Sequence, residues 1–553
     1  LLKPKLYHEE IIMKKESRKI AIIFSIIIAI FTIGIVPKTF QNDTFFNISI
    51  GKYLLDNRSI DMQEHFSWVQ GLTYTYSHWA FDIVTYLIYN TFGFTGIYIG
   101  VVIFAIVTNI ILFNLLNKRN NSPIIALLIT LISIYIIRSA YTARSQIVSF
   151  VCFIIEIYAI EKFIETNKKR YGVLLIILSI VIANFHAATW PLYLVLFMPY
   201  LGAAFLNLIS AKNIYTIMKN RAEKKLRKLP KNSPKVKKYE EDVKDYSKFI
   251  EEIKPPRYTK ISRRENYNGK ALIILLIVIS LTGLITPIHG TPYTYIIKSM
   301  LGPSNFENNA SIDFIAEMQP IVPANSIPLI VFLILLVGFL TFMPTKLKVE
   351  HGFLIAGLLI MTISSVRYVY LLVFLGSYVL VDLLSQCVKE FIPEDMVSLE
   401  KICLRPIVII FFIVFTCVFS TSKYLMRMEN QYVDEKLYPV GATEYIKNNL
   451  DYKKMRIYNS YNNGSYLMLN DIPIFIDSRL DVYCSEFNDT DVFYDYVQVA
   501  QGKQNYEDIF TKNDFTHILI YNDEIIYNYI KNDENYKVLY EDEYFTLYER
   551  NVK

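Results

Sequence analysis

Cysteine is scarce in this chain, with five residues in 553. Cys152 and Cys417 lie in apolar runs, Cys387 and Cys403 flank a connecting segment, and Cys484 stands alone in the polar C-terminal part. A single cysteine there has no partner within its domain, and no Cys/His spacing typical of a zinc site occurs. The sequence therefore predicts no disulfide framework.

Two further signals are missing. No internal repeat of solenoid period is visible, which excludes an array of stacked repeats. The first apolar run, from Ile20 to Val36, lacks a small-residue cleavage site after it. We therefore expect this run to be a retained first helix and not a signal peptide.

Long apolar runs are plentiful, and hydrophobic residues make up 53% of the chain. A run of about 18 apolar residues can cross a hydrocarbon core of about 30 Å. The pattern predicts an all-α membrane bundle of about eleven transmembrane helices over 1–421, followed by a soluble α/β domain over 422–553. The predicted helices are 20–37, 97–116, 123–140, 145–163, 171–190, 191–209, 271–288, 326–343, 352–366, 368–384 and 406–421, with a semi-apolar segment at 81–95.

The C-terminal domain shows both helical and strand periodicity. We predict strands at 456–460, 472–476 and 516–521, and short helices at 464–469 and 523–531. The final YKVLYEDEYFTLYER alternates around a polar turn, which predicts a β-hairpin.

Lysine and arginine are concentrated in segments that fall on one side of an eleven-helix bundle, which we expect to be the cytoplasmic side of a plasma membrane. The N-terminus and a basic loop at 210–270, with 19 basic and 8 acidic residues, belong to this side. That loop is expected to contact anionic lipid and not nucleic acid, because its aromatics are not interleaved as a platform for base stacking. The domain 422–553 has 14 basic and 23 acidic residues, so we predict it to be extracytoplasmic.

The first outer loop, 38–80, holds the best candidate for a catalytic base. Asp43 follows the first predicted helix by about six residues. A carboxylate at the membrane surface is partly desolvated and could deprotonate an acceptor hydroxyl. The other candidates in this loop, for acceptor or metal binding, are Asp61, Glu64, His65 and His78. The alternative for all of them is that they solvate a loop.

Arginines on the predicted outer side oppose the usual charge bias. Arg138, Arg144 and Arg367 are candidates for phosphate binding, because a guanidinium binds two oxygens at once. Their alternative role is to reach lipid headgroups. His186, near the outer end of the helix 171–190, is either a further phosphate ligand or an internally satisfied histidine.

Two more carboxylates, Asp313 and Glu317, lie four residues apart in the outer loop SIDFIAEMQP. On a helix they would share one face. They could bind an acceptor or a divalent metal such as Mg or Mn, or they could solvate a loop.

Several short motifs occur in a suggestive order. The first loop contains Asp43, Phe45–Phe46, Gly51, Asp61, Phe66–Ser67 and His78–Trp79, and it is followed by ARSQ at 143–146, NFHA at 184–187, TPIHG at 286–290, IAEMQP at 315–320, YNNGSYL and IFIDSRLDVY. This series resembles the multi-pass membrane glycosyltransferases of the C-type (GT-C) fold, and within them a largely uncharacterised prokaryotic group.

The resemblance implies a sugar transfer on the outer face of the membrane. The donor would be a polyprenyl-phosphate-linked sugar, and the acceptor a glycan, lipid or protein. Asp43 would act as base in a single inverting displacement, while Arg144, Arg367, Arg138 and His186 would stabilise the leaving phosphate. Some relatives use a metal. The C-terminal domain would contact the acceptor through Gly464, Asp477 and Arg479, although the last two could instead pair with each other.

Two other functions remain open from the sequence alone. The chain could be a transporter or lipid flippase of cell-envelope precursors, or a catalytically silent GT-C-fold assembly protein. A transporter of this size should show repeated halves with broken helices and ionisable groups near the midplane. The sequence shows neither, which favours the enzyme.

Overall fold

The computed structural model describes residues 3–120, 122–230, 233–253, 260–264, 268–301, 314–322, 326–391, 402–403, 405–427 and 430–551. The first part of the chain is a helical bundle. Its helices are α1 (Lys3–Ile35), α2 (Asn42–Asn57), α3 (Trp79–Asn120), α4 (Pro123–Ile137), α5 (Gln146–Thr166), α6 (Lys169–Phe185), α7 (Trp190–Val195), α8 (Met198–Leu208), α9 (Ala211–Leu226), α10 (Lys235–Glu252), α11 (Gly269–Leu281), α12 (Thr291–Leu301), α13 (Ile327–Phe342), α14 (Val349–Ser364), α15 (Val369–Phe391) and α16 (Pro406–Leu425).

Within the described residues, five helices are long and apolar enough to cross a membrane by length and composition. They are Trp79–Arg119, Pro123–Ala140, Ala187–Leu208, Val366–Phe391 and Pro406–Leu425, and the shorter apolar helices are Lys19–Ile35, Gly269–Leu284, Ile327–Phe342 and Val349–Ser364. This set marks a membrane protein, while the total of eleven spans stays a prediction.

Two helical segments differ from the sequence prediction near the start of the bundle. The predicted loop 38–80 contains a helix, α2, that its low hydrophobicity concealed. The segments predicted at 81–95 and 97–116 are one element, α3, with a kink at Gly93. Gly93 has φ of +63°, a left-handed conformation that glycine adopts without steric cost.

The predicted helices 171–190 and 191–209 are also divided differently. Helix α6 ends at Phe185, and His186 follows with an extended φ of −158°. Pro191 and Pro199 lie in the first turns of α7 and α8. Proline is tolerated at the first turn of a helix but not in its interior, so two short helices replace one long helix.

The basic segment 210–270 folds largely as a helical hairpin of α9 and α10. Further along the segment, strand β1 (Ile261–Ser262) pairs in parallel with strand β2 (Leu347–Lys348) of the bundle. Arg264 then places its Nε 3.3 Å from Glu350 Oε1. The hairpin is thus anchored to the bundle at its C-terminal end.

Arg264 belongs to a buried ionic cluster at one end of the bundle. His351 Nε2 lies 2.7 Å from Glu161 Oε1, and Arg119 contacts both Glu161 and Asp382. Glu161 lies about 22 Å along α5 from the start of that helix. The cluster therefore marks the far end of the bundle, opposite the loop that precedes α5.

Residues 440–550 form an α/β domain around a four-stranded sheet. Its elements are α17 (Val440–Asn449), β3 (Ile457–Asn459), α18 (Gly464–Leu469), α19 (Leu480–Tyr483), α20 (Val492–Ala500), α21 (Tyr506–Lys512), β4 (His517–Tyr521), α22 (Tyr527–Ile530), β5 (Tyr536–Glu541) and β6 (Phe545–Arg550). The strand order is β3-β4-β6-β5, with β3 and β4 parallel and the other pairs antiparallel. The predicted C-terminal hairpin is confirmed.

The strand predicted at 472–476 is wrong. These residues join no sheet, and Ile474 makes one isolated bridge with Ser67. Ile474 O accepts a hydrogen bond from Trp68 N at 3.0 Å, and Phe66 O accepts one from Ile474 N at 3.2 Å. The apolar run is buried because it packs against the loop 38–80, and this burial produced the misleading signal.

The loop 38–80 shares one hydrophobic core with the C-terminal domain. Leu72, Tyr74 and Tyr76 pack in the same cluster as Ile457 and Phe475. Trp68 Nε1 also donates to Ile457 O at 3.0 Å. The domain is therefore built from two distant parts of the chain, and this construction holds the loop against the end of the bundle.

Candidate functional site

A cavity of about 1490 Å³ lies between the bundle and the C-terminal domain. We call it the junction cavity. Its bundle side is formed by the starts of α2, α5 and α15 and by the end of α6, and its domain side by segments that follow β3 and β4. The polar residues that line it include Asn42, Asp43, His78, Arg144, Ser149, His186, Glu317, Arg367, Ser460, Asn462, Ser478, Asp481, Glu486, Asp523 and Glu524.

Asp43 stands where the bundle and the domain meet. It lies in the first turn of α2, where the helix dipole stabilises a negative charge. Its Oδ2 is 2.6 Å from Arg144 Nε, and its Oδ1 accepts a hydrogen bond from Ser478 Oγ at 2.8 Å. A carboxylate has about four acceptor positions, so two remain for a substrate hydroxyl. Sequence reasoning missed Ser478, although it lies within the IDSR motif.

Two guanidinium groups converge on one carboxylate beside Asp43. Arg144 Nη1 lies 3.1 Å from Glu317 Oε1, and Arg367 Nη2 lies 3.9 Å from Glu317 Oε2. Backbone bonds hold this arrangement, because Arg367 N donates to Glu317 O at 3.2 Å and Ser365 Oγ donates to the same oxygen at 2.8 Å. The position of the Glu317 carboxylate is therefore one that an oxyanion can occupy between two arginines.

His186 approaches the same region from the end of α6. Its Nδ1 lies 2.8 Å from Ser149 Oγ. Burial, together with the nearby His78, Arg144 and Arg367, lowers the pKa of His186 to about 3. His186 is therefore neutral at ordinary pH and serves as a hydrogen-bonding group rather than as a cation.

The pKa of His78 shifts in the opposite direction to that of His186. His78 Nδ1 lies 2.9 Å from Asp82 Oδ1, and the His78 ring stacks on Phe46 with centroids 5.5 Å apart. Burial alone would lower the pKa of His78, but the carboxylates of Asp82, Asp481 and Asp43 together outweigh burial and raise the pKa above its ordinary value. His78 thus adds positive character to the bundle side of the cavity.

Arg138, Asp61 and His65 do not line the junction cavity, and neither do Glu64, Gly464 and Asp477. Arg138 is exposed, donates to Tyr135 O at 2.7 Å and packs over the Tyr135 ring. Asp61 and His65 pair with each other at 2.7 Å on the surface of the loop. The remaining carboxylate candidate, Asp313, lies outside the described residues.

Glu64, Asp477 and Arg479 form a buried ionic lock. Arg479 Nη1 lies 2.6 Å from Glu64 Oε2, and Arg479 Nη2 lies 2.6 Å from Asp477 Oδ2. Arg479 is 2% exposed and Asp477 is 0% exposed. Asp477 and Arg479 thus pair with each other, which was one of the two roles considered for them from the sequence. Glu64 connects this pair to the loop 38–80.

Gly464 has a packing role at the start of α18. A Cβ atom built there would lie 1.9 Å from Ile476 O. Only glycine allows this approach of two backbone segments. Gly464 therefore positions the segment that carries Asp477, Ser478 and Arg479 without presenting a side chain of its own.

Glu524 is a cavity residue that sequence reasoning missed. It follows β4 and accepts a hydrogen bond from Ser460 Oγ, which follows β3. Its Oε2 is buried and has no hydrogen-bond partner among the described residues. Burial raises the pKa of Glu524 to about 7, although the bond from Ser460 favours the ionised form. The position after a parallel strand was the available signal, because ligands bind at such strand ends.

This shift predicts a pH-dependent contribution to stability. The ordinary pKa of 4.5 applies to the unfolded chain, so the folded state holds the proton more tightly and stability falls as pH rises from about 4.5 to about 7. Relative to wild type, Glu524→Gln is expected to gain about 1–3 kcal/mol between pH 5 and pH 8. Thermal unfolding at both pH values measures this gain. Glu543→Gln, at an exposed site, is the matched control, and an equal gain in that control would contradict the assignment.

Among the described residues, no group of three His, Cys, Asp or Glu side chains is arranged to hold a metal ion. Asp43 and Glu317 both approach Arg144, so its guanidinium already provides the positive charge between the two carboxylates.

The fold of the described residues is similar to that of a solved archaeal protein. Two solved structures of the Archaeoglobus fulgidus oligosaccharyltransferase match this chain, one in the apo form and one tethered by a disulfide to an acceptor peptide containing the NVT sequon. They give TM-scores of 0.53 and 0.54 at 10% sequence identity. The match covers 91% of this chain and 69% of the archaeal chain in both cases.

Sequence comparison adds nothing to this likeness. No family model matches the chain, and no curated protein matches it. At 10% identity the structural likeness concerns the fold alone. The chemistry of the site therefore has to be argued from the residues of this chain.

Proposed function

We propose that the chain transfers a sugar from a polyprenyl-phosphate-linked donor to an acceptor on the outer face of the plasma membrane, with Asp43 as the base. The observation that carries this proposal is the convergence of Asp43, Arg144 and Arg367 in one cavity. The cavity lies at the end of an apolar bundle, where a lipid-linked donor can enter from the bilayer. With the junction cavity at the outer face of the membrane, the N-terminus is cytoplasmic and the C-terminal domain is extracytoplasmic.

The mechanism is a single inverting displacement. Asp43 accepts the proton of the acceptor hydroxyl as that oxygen attacks the anomeric carbon, and the bond to the phosphate oxygen breaks. Arg144 and Arg367 stabilise the negative charge that develops on the leaving phosphate, which displaces the Glu317 carboxylate from the two arginines. Fixed positive donors at a developing anion are often the largest catalytic term. Neutral His186 adds a hydrogen bond, and no step runs through a metal ion.

Glycosyl transfer is tested with purified protein in liposomes that contain a polyprenyl-phosphate-linked sugar. Release of polyprenyl phosphate, which depends on Asp43, is the readout, and it requires no knowledge of the acceptor because water can replace it slowly. Absence of release with a panel of donor sugars would overturn the proposal and favour a silent assembly protein. Movement of the intact donor across the bilayer would favour a flippase.

Substitution of an arginine at the anion position should lower the transfer rate, whereas substitution of an arginine outside the cavity should not. Arg367→Gln is expected to lower kcat/KM for the donor about 100-fold, because it removes one of two guanidiniums from the leaving phosphate. Arg138→Gln is the matched control, since Arg138 packs on Tyr135 at the surface. Initial rates at low donor concentration measure the effect, and equal losses in the two variants would contradict this assignment.

A further inference from the structure

The domain side of the junction cavity has a different chemical character from the bundle side. The bundle side presents Arg144, Arg367 and His78 beside the carboxylates of Asp43 and Glu317. The domain side presents the carboxylates of Asp481, Glu486, Asp523 and Glu524, and its cation Arg479 is already paired with Glu64 and Asp477. A phosphate-bearing donor is attracted to the first side and repelled by the second, so the two halves favour different substrates.

The domain side is also a built crevice. Parallel strands β3 and β4 end beside it, with Ser460 directly after β3 and Asp523 and Glu524 shortly after β4. In α/β sheets, ligands bind in the crevice outside the carboxyl ends of such strands. The hydrogen bond from Ser460 Oγ to Glu524 joins the two strand ends. We call this place the strand-end crevice.

One polar atom in the strand-end crevice is left for a ligand. Glu524 Oε2 is buried, and no hydrogen-bond partner for it occurs among the described residues. A buried oxygen without a partner is destabilising, and rotation of the Glu524 side chain toward a hydroxyl or amine of a ligand would remove that cost. The rings of Tyr461, Tyr496 and Tyr521 line the same region and offer apolar surface beside these polar groups.

The strand-end crevice leads directly to the reactive carboxylate. Asn462 Oδ1 accepts a hydrogen bond from Asn42 Nδ2 at 3.4 Å, and Asn42 is the neighbour of Asp43. In an inverting displacement the nucleophile approaches opposite to the leaving group. With the phosphate held at Arg144 and Arg367, the acceptor therefore has to approach from the domain side.

We propose that the strand-end crevice is the acceptor subsite and that it binds a glycan without negative charge, either neutral or amine-bearing. This inference rests on the proposed function. Carboxylates accept hydrogen bonds from several sugar hydroxyls, aromatic rings pack against sugar rings, and an anionic acceptor would be repelled. A glycan is favoured over a peptide, because the strand ends present side-chain groups and not the unpaired strand edge that main-chain recognition uses.

The test is a binding experiment with the full chain in detergent on an array of neutral, amine-bearing, uronic-acid-bearing and phosphate-bearing oligosaccharides together with peptides. We expect retention on neutral or amine-bearing glycans, weakened at least 10-fold in Glu524→Ala. Glu543→Gln, an exposed carboxylate change in the same domain, should bind as wild type does. A thermal unfolding trace for each variant identifies misfolding, and Glu524→Gln serves as the milder replacement.

Three results would overturn the inference: retention on acidic glycans or on peptides instead, no retention on any probe, or equal binding by wild type and both Glu524 variants. Donor cleavage by water without acceptor is measured on the same protein. Cleavage with no glycan retention means that only the acceptor inference fails. Glycan retention without cleavage means that the proposed transfer fails while the crevice assignment stands.

Discussion

Asp43→Asn is expected to lower sugar transfer at least about 1000-fold and to leave donor binding nearly unchanged. Asparagine keeps the size of the side chain and can still accept a bond from Ser478, but it cannot take a proton from the acceptor at neutral pH. General-base catalysis raises reaction rates by about 100- to 10,000-fold, so removal of the base should abolish most of the transfer activity. Transfer rates at saturating donor, together with donor affinity, measure the two effects separately.

The matched control for this variant is Asp56→Asn. Asp56 lies on the same helix, α2, but at its exposed end. It should retain wild-type transfer, which shows that the loss at Asp43 does not come from a general change in α2. If Asp43→Asn keeps more than a tenth of the activity, Asp43 is not the base, and the mechanism proposed above fails.

The position of Asp43 could be predicted from sequence because it depends on one strong local signal. A long apolar run ends shortly before it, and membrane thickness then fixes where the next polar residues lie. The placement of Arg144 and Arg367 near it follows from the same counting of helices. The charge pattern separates the two ends of the bundle. Arg119 and Arg264 lie in the buried ionic cluster at one end, whereas Arg144 lies in the junction cavity at the other.

Residues contributed by the domain could not be found in this way. Ser478, Asp481 and Glu524 are isolated polar residues whose roles depend on which strand ends meet the bundle. Nothing local in the sequence encodes that contact, since Ser478 and Asp43 are separated by most of the chain. The order of the sheet, with β4 between β3 and β6, decides which loops reach the cavity.

The wrong strand at 472–476 has the same physical origin. Its apolar residues indicate burial, but burial against a sheet and burial against a loop give the same pattern. The run packs between the loop 38–80 and strand β3, since Phe475 contacts both Trp68 and Tyr458, and this packing identifies the loop as part of the domain core. The predicted domain boundary at residue 422 divides the chain in sequence order. The packed domain also includes residues of the loop 38–80.

The packing of that loop depends on the ionic lock, and Arg479→Met is expected to destabilise the domain by about 3–5 kcal/mol. Methionine fills a similar volume, but the carboxylates of Glu64 and Asp477 would remain buried without their shared counter-charge. Arg479 also contacts the rings of Phe66 and Tyr74, at 5.4 Å and 5.0 Å from the ring centroids. Thermal unfolding and protease sensitivity of the loop 38–80 measure the loss.

The comparison that isolates burial is Arg456→Met. Arg456 pairs with Asp514 at 3.0 Å, but their side chains are 50% and 79% exposed. Exposed pairs contribute about 0–1 kcal/mol, so this variant should unfold nearly as wild type does. Adding Glu64→Gln and Asp477→Asn to Arg479→Met should restore part of the stability, because it removes the unpaired charges. Equal losses at Arg456 and Arg479, or no recovery in the triple variant, would show that the lock does not hold the loop that positions Asp43 against the domain.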